Sequence, residues 1–181
     1  MPASSRGPCA APRTRPTLPT AAALLGAFCL TAPVAGAATL AVFDFDTPAG
    51  DLETVADSLQ PGISAGPWTD SAGSLTGFTG VSGRALGARD WLDGNRFSVT
   101  FTLAPGLTAH LHSLRFSQRA SASGPEDWVL GIGGRALAVG PTSTGFQNRT
   151  ADSLDLALQG AFTLTLDAGN ASGNSGTWRI D

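Results

Sequence analysis

Phe97-Ser98-Val99-Thr100-Phe101-Thr102-Leu103 decides the fold class, because its apolar side chains fall on every second residue while Ser98, Thr100 and Thr102 face the other way. Successive side chains of a strand point to opposite faces, so this period of two predicts a strand with one face buried and one wet. The same pattern recurs in Phe162, Leu164 and Leu166 against Thr163, Thr165 and Asp167, and more briefly in Val42 to Asp46 and Trp178 to Ile180. Between Leu107 and Ser117 the apolar parity switches, from Leu107, Ala109 and Leu111 to Leu114 and Phe116, which predicts a β-bulge near Ser113. Gly133-Gly134 reads as a two-residue hairpin turn, and Asp93-Gly94-Asn95 as a turn leading into the Phe97 strand.

Helical periodicity is confined to Leu52, Val55, Ala56 and Leu59, stopped by Pro61-Gly62, so at most one short helix is expected. Many short strands with glycine-rich turns and no alternating helices predict an all-β domain, an antiparallel β-sandwich or jelly roll, not a parallel α/β sheet.

Ahead of that domain, residues 1–37 read as a signal peptide. Arginines stand at Arg6, Arg13 and Arg15, an apolar stretch runs from Ala21 to Leu30, and Ala35-Gly36-Ala37 provides an A-x-A site for signal peptidase. The apolar core is too short for a membrane span and is followed by Pro33 and Gly36, so no span is expected in the mature chain. Cleavage after Ala37 leaves residues 38–181 as a single domain, exported to the medium or the cell surface.

Composition narrows the chemistry. Both cysteines, Cys9 and Cys29, lie in the signal, which denies the mature domain a disulfide, a thiolate zinc site and a cysteine nucleophile. Its charge comes from eight arginines against fourteen acids, a net of −6, with no run of basic residues. That balance argues against nucleic acid or an anionic membrane as partner and predicts no basic patch.

Several motifs resemble sites. Gly62-Ile63-Ser64-Ala65-Gly66 matches the G-x-S-x-G nucleophile elbow of hydrolases, but an elbow needs a strand before the serine and a helix after it, and prolines at Pro61 and Pro67 flank this one. Gly131-Ile132-Gly133-Gly134-Arg135-Ala136 matches a dinucleotide fingerprint, yet a strand rather than a helix is expected after it. His110 and His112 share a strand face without an identifiable third metal ligand. Glu53 and Glu126 form no carboxylate pair of the kind glycoside hydrolysis requires, so no catalytic residues are expected.

Two sets of residues remain. Asp44, Asp46 and Asp181 lie on the expected first and last strands and offer hard oxygen ligands for a structural calcium ion; the plain alternative is solubilising charge on edge strands. Of four tryptophans, Trp128 and Trp178 lie within strands and are expected to be buried, while Trp68 and Trp91 flank loops and offer flat faces for a sugar ring.

The stretch from Ser113 to Trp128, the closing Asn170 to Asp181 and the opening Phe43-Asp44-Phe45-Asp46 resemble exported bacterial proteins of the PEP-CTERM type. The resemblance implies a domain followed by a Pro-Glu-Pro motif, an apolar helix and an arginine cluster that an exosortase reads, and it implies no activity. That tail is not present before Asp181, and truncation is one explanation. Trp178-Arg179-Ile180-Asp181 is also similar to the last strand of jelly-roll carbohydrate-binding modules, where the matching aspartate often helps hold calcium. The reading is a non-catalytic exported protein of the cell envelope or extracellular matrix. Its alternatives are a carbohydrate-binding module with structural calcium, taking extracellular polysaccharide, and more remotely a secreted hydrolase.

Overall fold

The computed structural model describes residues 38–47 and 49–181, so the signal peptide and its cleavage site after Ala37 lie outside the described residues. The described residues contain fifteen strands and no helix. In chain order these are β1 (Ala41–Val42), β2 (Ser58–Leu59), β3 (Ile63–Ala65), β4 (Thr69–Asp70), β5 (Leu75–Thr79), β6 (Arg84–Ala88), β7 (Arg96–Leu103) and β8 (Thr108–Leu111). They continue as β9 (Leu114–Ala120), β10 (Asp127–Ile132), β11 (Arg135–Pro141), β12 (Gln147–Ala151), β13 (Leu156–Gln159), β14 (Ala161–Gly169) and β15 (Trp178–Ile180).

Two antiparallel sheets carry the architecture. One runs β11-β10-β14-β7-β3, with β4 also on β7, and the other runs β12-β9-β15-β6-β5. Their inner faces meet through aromatic rings: Phe97 of β7 stacks on Trp178 of β15 at 5.2 Å between centroids, and Phe116 of β9 meets Trp128 of β10 edge-on, also at 5.2 Å. Apart from the β10-β11 and β5-β6 hairpins, neighbours in these two sheets are non-consecutive in the chain, so the domain is a jelly-roll-like β-sandwich as expected.

The strand that announced the fold behaves as its alternation requires. Phe97, Val99, Phe101 and Leu103 are all buried, and their partners Leu166, Leu164 and Phe162 on β14 line the same face. Ile132 pairs with Arg135 across Gly133-Gly134, whose φ values of 58° and 82° are the positive values a tight two-residue hairpin requires and glycine adopts without strain.

The expectation of at most one short helix holds, with none formed over residues 52–59, and two other expectations are corrected. Leu52 bridges Asp46, and Ser58–Leu59 pair with β1, because Leu52 and Leu59 find their apolar partners across to the core and not along a helix face. The first strand is shorter than Val42 to Asp46, since it ends at Val42 and Phe45 adopts a φ of 61° to turn its ring into the core. The irregularity expected near Ser113 is present, but its extra residues lie on the partner. His112-Ser113 interrupts β8 and β9, while residues 152–155 interrupt β12 and β13 opposite, with Ser153 and Asp155 at φ values of 57° and 44°. A longer bend on one side of the pair turns both strands together and shifts the parity as a bulge does.

Candidate functional site

The loop tryptophans do not form a ligand platform. Trp91 is 0% exposed and Trp68 is 5% exposed. The Trp91 ring lies 4.8 Å from Phe97 and 5.0 Å from Trp178, and its Nε1–H donates to the Ala168 carbonyl at 2.9 Å. Trp68 packs edge-on to Phe43 and Phe45. The physical reason is that the open ends of a sandwich expose apolar rings unless loops fold back over them, and large aromatic side chains close such ends best. Flanking a loop therefore did not mean facing water.

The aspartates do converge on one corner. The Asp181 carboxylate accepts from the Val81 N–H at 2.5 Å, Asp46 accepts from Arg84 N–H at 2.7 Å, and Asp44 accepts from Asp46 N–H at 3.0 Å. Burial pushes the Asp181 carboxyl above its ordinary range; the Val81 and Ser82 amides pull it down, while the charges of Asp46 and Asp44 push it further up. Asp181 and Asp46 thus cap backbone amides at the turn between β5 and β6, while Asp44 caps the amide of Asp46. Among the described residues no three acidic, histidine or cysteine side chains are disposed to hold a metal ion, so the three-aspartate calcium cage is not assembled.

Ser64 lies in the middle of β3, and its hydroxyl points at the Thr102 carbonyl, 3.4 Å away. No turn presents it, and the strand supplies nothing of the elbow's geometry. His110 and His112 are exposed.

What sequence reading missed is the outer face of the five-stranded sheet. On β9 the inward Phe116, Gln118 and Ala120 alternate with outward Arg115, Ser117 and Arg119; on β15 Trp178 and Ile180 alternate with outward Arg179. Register places Arg179 between Arg119 on one side and Gly87 on the other, and Asn148 opposite Ser117. The Phe78 ring lies across Gly87, where an added Cβ would come within 2.4 Å of it. Arg179 sits over that ring at 4.2 Å and Arg89 at 5.2 Å. A basic patch thus exists where none was expected, because antiparallel pairing gathers arginines that the chain keeps far apart. The only signal for it in the sequence was the arginines' parity within their strands.

Beside the patch runs a shallow groove of about 400 Å³, lined chiefly by Arg115, Ser117, Asn148, Thr150 and Asp181. The Ser117 hydroxyl donates to Asn148 Oδ1 at 2.6 Å, which turns the amide N–H groups of Asn148 outward as donors.

No protein-family model and no curated protein sequence matches the chain. Among solved structures, it is similar to carbohydrate-binding module CBM36 in complex with calcium and xylotriose, at 12% identity and a TM-score of 0.44, over 63% of this chain and 97% of that one. It is likewise similar to a CBM4 module, at 13% identity and a TM-score of 0.42, over 63% and 89%. A family 11 module from Clostridium thermocellum in complex with a mixed-linked tetrasaccharide is 12% identical with a TM-score of 0.41, over 66% and 84%. At these values no ligand passes from those proteins to this chain.

Proposed function

We propose that the folded domain is a non-catalytic, glycan-associating protein of the cell exterior, binding polysaccharide on the outer face of its five-stranded sheet. The observation that carries this reading is the groove of about 400 Å³ lined by Ser117, Asn148 and Thr150. An amide oriented by a hydroxyl, with a further hydroxyl and a guanidinium beside it, matches the paired donors and acceptors of a sugar ring. A groove open along a sheet face suits a chain passing through, where an enclosed pocket suits a single small molecule.

Affinity electrophoresis against a panel of soluble polysaccharides tests this. Retention by at least one of them, weakened about tenfold in Asn148→Ala/Thr150→Ala, is the expected result. Mobility unchanged by every polymer ends the proposal. The hydrolase alternative is tested separately: any esterase activity that disappears in Ser64→Ala restores it.

Export belongs to the same reading and rests on residues 1–37. Amino-terminal sequencing of the secreted product should begin at Ala38. PEP-CTERM-type sorting rests on the resemblance alone, and reading the gene past the Asp181 codon for a Pro-Glu-Pro segment decides it.

A calcium ion at the Asp44, Asp46 and Asp181 corner is a second reading, favoured by the Asp46 and Asp44 charges that, after burial, help raise the Asp181 carboxyl. A cation there has to displace amide bonds already made to Asp46 and Asp181. A melting temperature raised by calcium and lowered by a chelator, both effects lost in Asp181→Asn, supports it; a chelator-insensitive melt removes it.

A further inference from the structure

We propose that the polysaccharide this face takes is acidic, its carboxylate or sulfate groups held by Arg89, Arg115, Arg119 and Arg179; the inference rests on the glycan reading above.

The starting point is an imbalance. The mature chain has fourteen acids and eight arginines, so carboxylates are plentiful, yet four of the eight arginines gather on one sheet face. Among the described residues the one ion pair, Arg96 to Asp167 at 2.9 Å, lies on the other sheet. Arg119 and Arg179 are directly opposite each other in the ladder, a placement that destabilises a sheet when the charges are alike. Burial first, and then the Arg119 and Arg89 charges, hold the Arg179 guanidinium below its ordinary range. Scattered solubilising arginines avoid one another, whereas Arg89, Arg119 and Arg179 converge with no ion pair to any of them among the described residues, as a site for an anion does.

Geometry adds preorganisation. Phe78 packs against Gly87, and the Arg179 guanidinium lies over the ring. Stacking on an aromatic face restrains the planar fork of donors that grips a carboxylate or sulfate through two parallel hydrogen bonds. Arg115 carries positive charge onward into the groove, where Ser117, Asn148 and Thr150 supply neutral hydrogen bonds and Asp181 stands as the one carboxylate in the lining. Charged and neutral recognition thus alternate along one face, as charged groups and hydroxyls alternate along an acidic polysaccharide.

Nucleic acid fits less well. A duplex presents one negative charge per about 1.7 Å of axis, which demands a long basic track. Here Asp181 interrupts the basic face, lining the groove beside Arg115 with Asp46 and Asp44 near it, so an unbroken run of closely spaced phosphates meets carboxylates, which more widely spaced acidic groups can straddle. The rest of the mature chain is acidic as well.

The test is binding of the purified protein to polygalacturonate and dextran sulfate, with neutral dextran and duplex DNA as further arms. Expected is retention by an acidic polysaccharide, which weakens about tenfold or more between roughly 50 and 500 mM NaCl. Arg119→Gln/Arg179→Gln, checked to melt like the parent, should lose about tenfold as well. Equal binding to neutral dextran, or acidic binding unchanged in the double variant, overturns the inference and leaves the glycan reading standing. Loss of binding to every polysaccharide overturns both. Tighter binding to DNA than to either acidic polymer assigns the patch to nucleic acid and overturns the inference too.

Discussion

Trp178 and Arg179 are consecutive residues of one strand, and they face surroundings with opposite physics. Trp178 is 0% exposed, stacked on Phe97 from the facing sheet and set against Trp91. Arg179 lies on the other side of the same sheet, over Phe78 and beside two further arginines. The inner face is stabilised by what it touches, since aromatic burial and edge contacts each lower the energy of the fold. The outer face carries like charges with no ion pair among the described residues, a cost to the fold that burial elsewhere must offset. The difference teaches which side to search for function: a region that stabilises needs no ligand to explain it, and one that repels itself does.

The contrast breaks most visibly on the inner side. Trp178→Ala and Trp91→Ala should each cost about 3–5 kcal/mol, a large share of a domain's stability, measured by denaturant unfolding. A loss below about 1 kcal/mol in Trp91→Ala would return that ring to the surface and reopen it as a sugar platform.

Smaller effects are expected where the outer face is covered by the Phe78 ring. Gly87→Val places side-chain atoms into the space occupied by Phe78 and should cost about 1–3 kcal/mol. It should also weaken acidic-polysaccharide binding, because the ring that restrains Arg179 is displaced. A variant as stable as the parent and with unaltered binding would show that Phe78 is free to move without consequence.

On the outer side the sign reverses. Arg179→Gln removes a repelled charge and should leave stability within about 0.5 kcal/mol of the parent, on the stabilised side, by thermal melting at low salt. Clear destabilisation would mean that the stack on Phe78 outweighs the repulsion.

The smallest effect concerns pH. The Asp181 carboxyl is raised in the fold, so its neutral form is the one the fold favours. Its contribution is complete below the unfolded-state pKa of about 3.9 and is lost as pH rises through the higher folded value. Asp181→Asn should therefore gain on the parent at neutral pH, and the gap should close as pH falls through the acid range. A gap independent of pH would place the effect in the amide bonds and not in the charge.

How much of this was legible varies with the kind of information. The faces of β7 and β14, the hairpin at Gly133-Gly134 and the burial of Trp128 and Trp178 followed from alternation and turn chemistry, which are local. Trp68 and Trp91 were misread because burial beside a loop depends on where the loop folds, and no local pattern records that. The stretch of residues 52–59 satisfied helical spacing, but its apolar side chains had partners across the core, and tertiary contacts overrode a weak local preference.

By itself the sequence determined which residues of each strand share a face, because the backbone pleat alternates side chains whatever the strand's neighbours are. Only the tertiary structure decided which strands lie side by side. Arg89, Arg115, Arg119 and Arg179 become one surface solely because β15 is inserted between β9 and β6, and such pairing is settled by long-range packing that no single stretch of the chain contains.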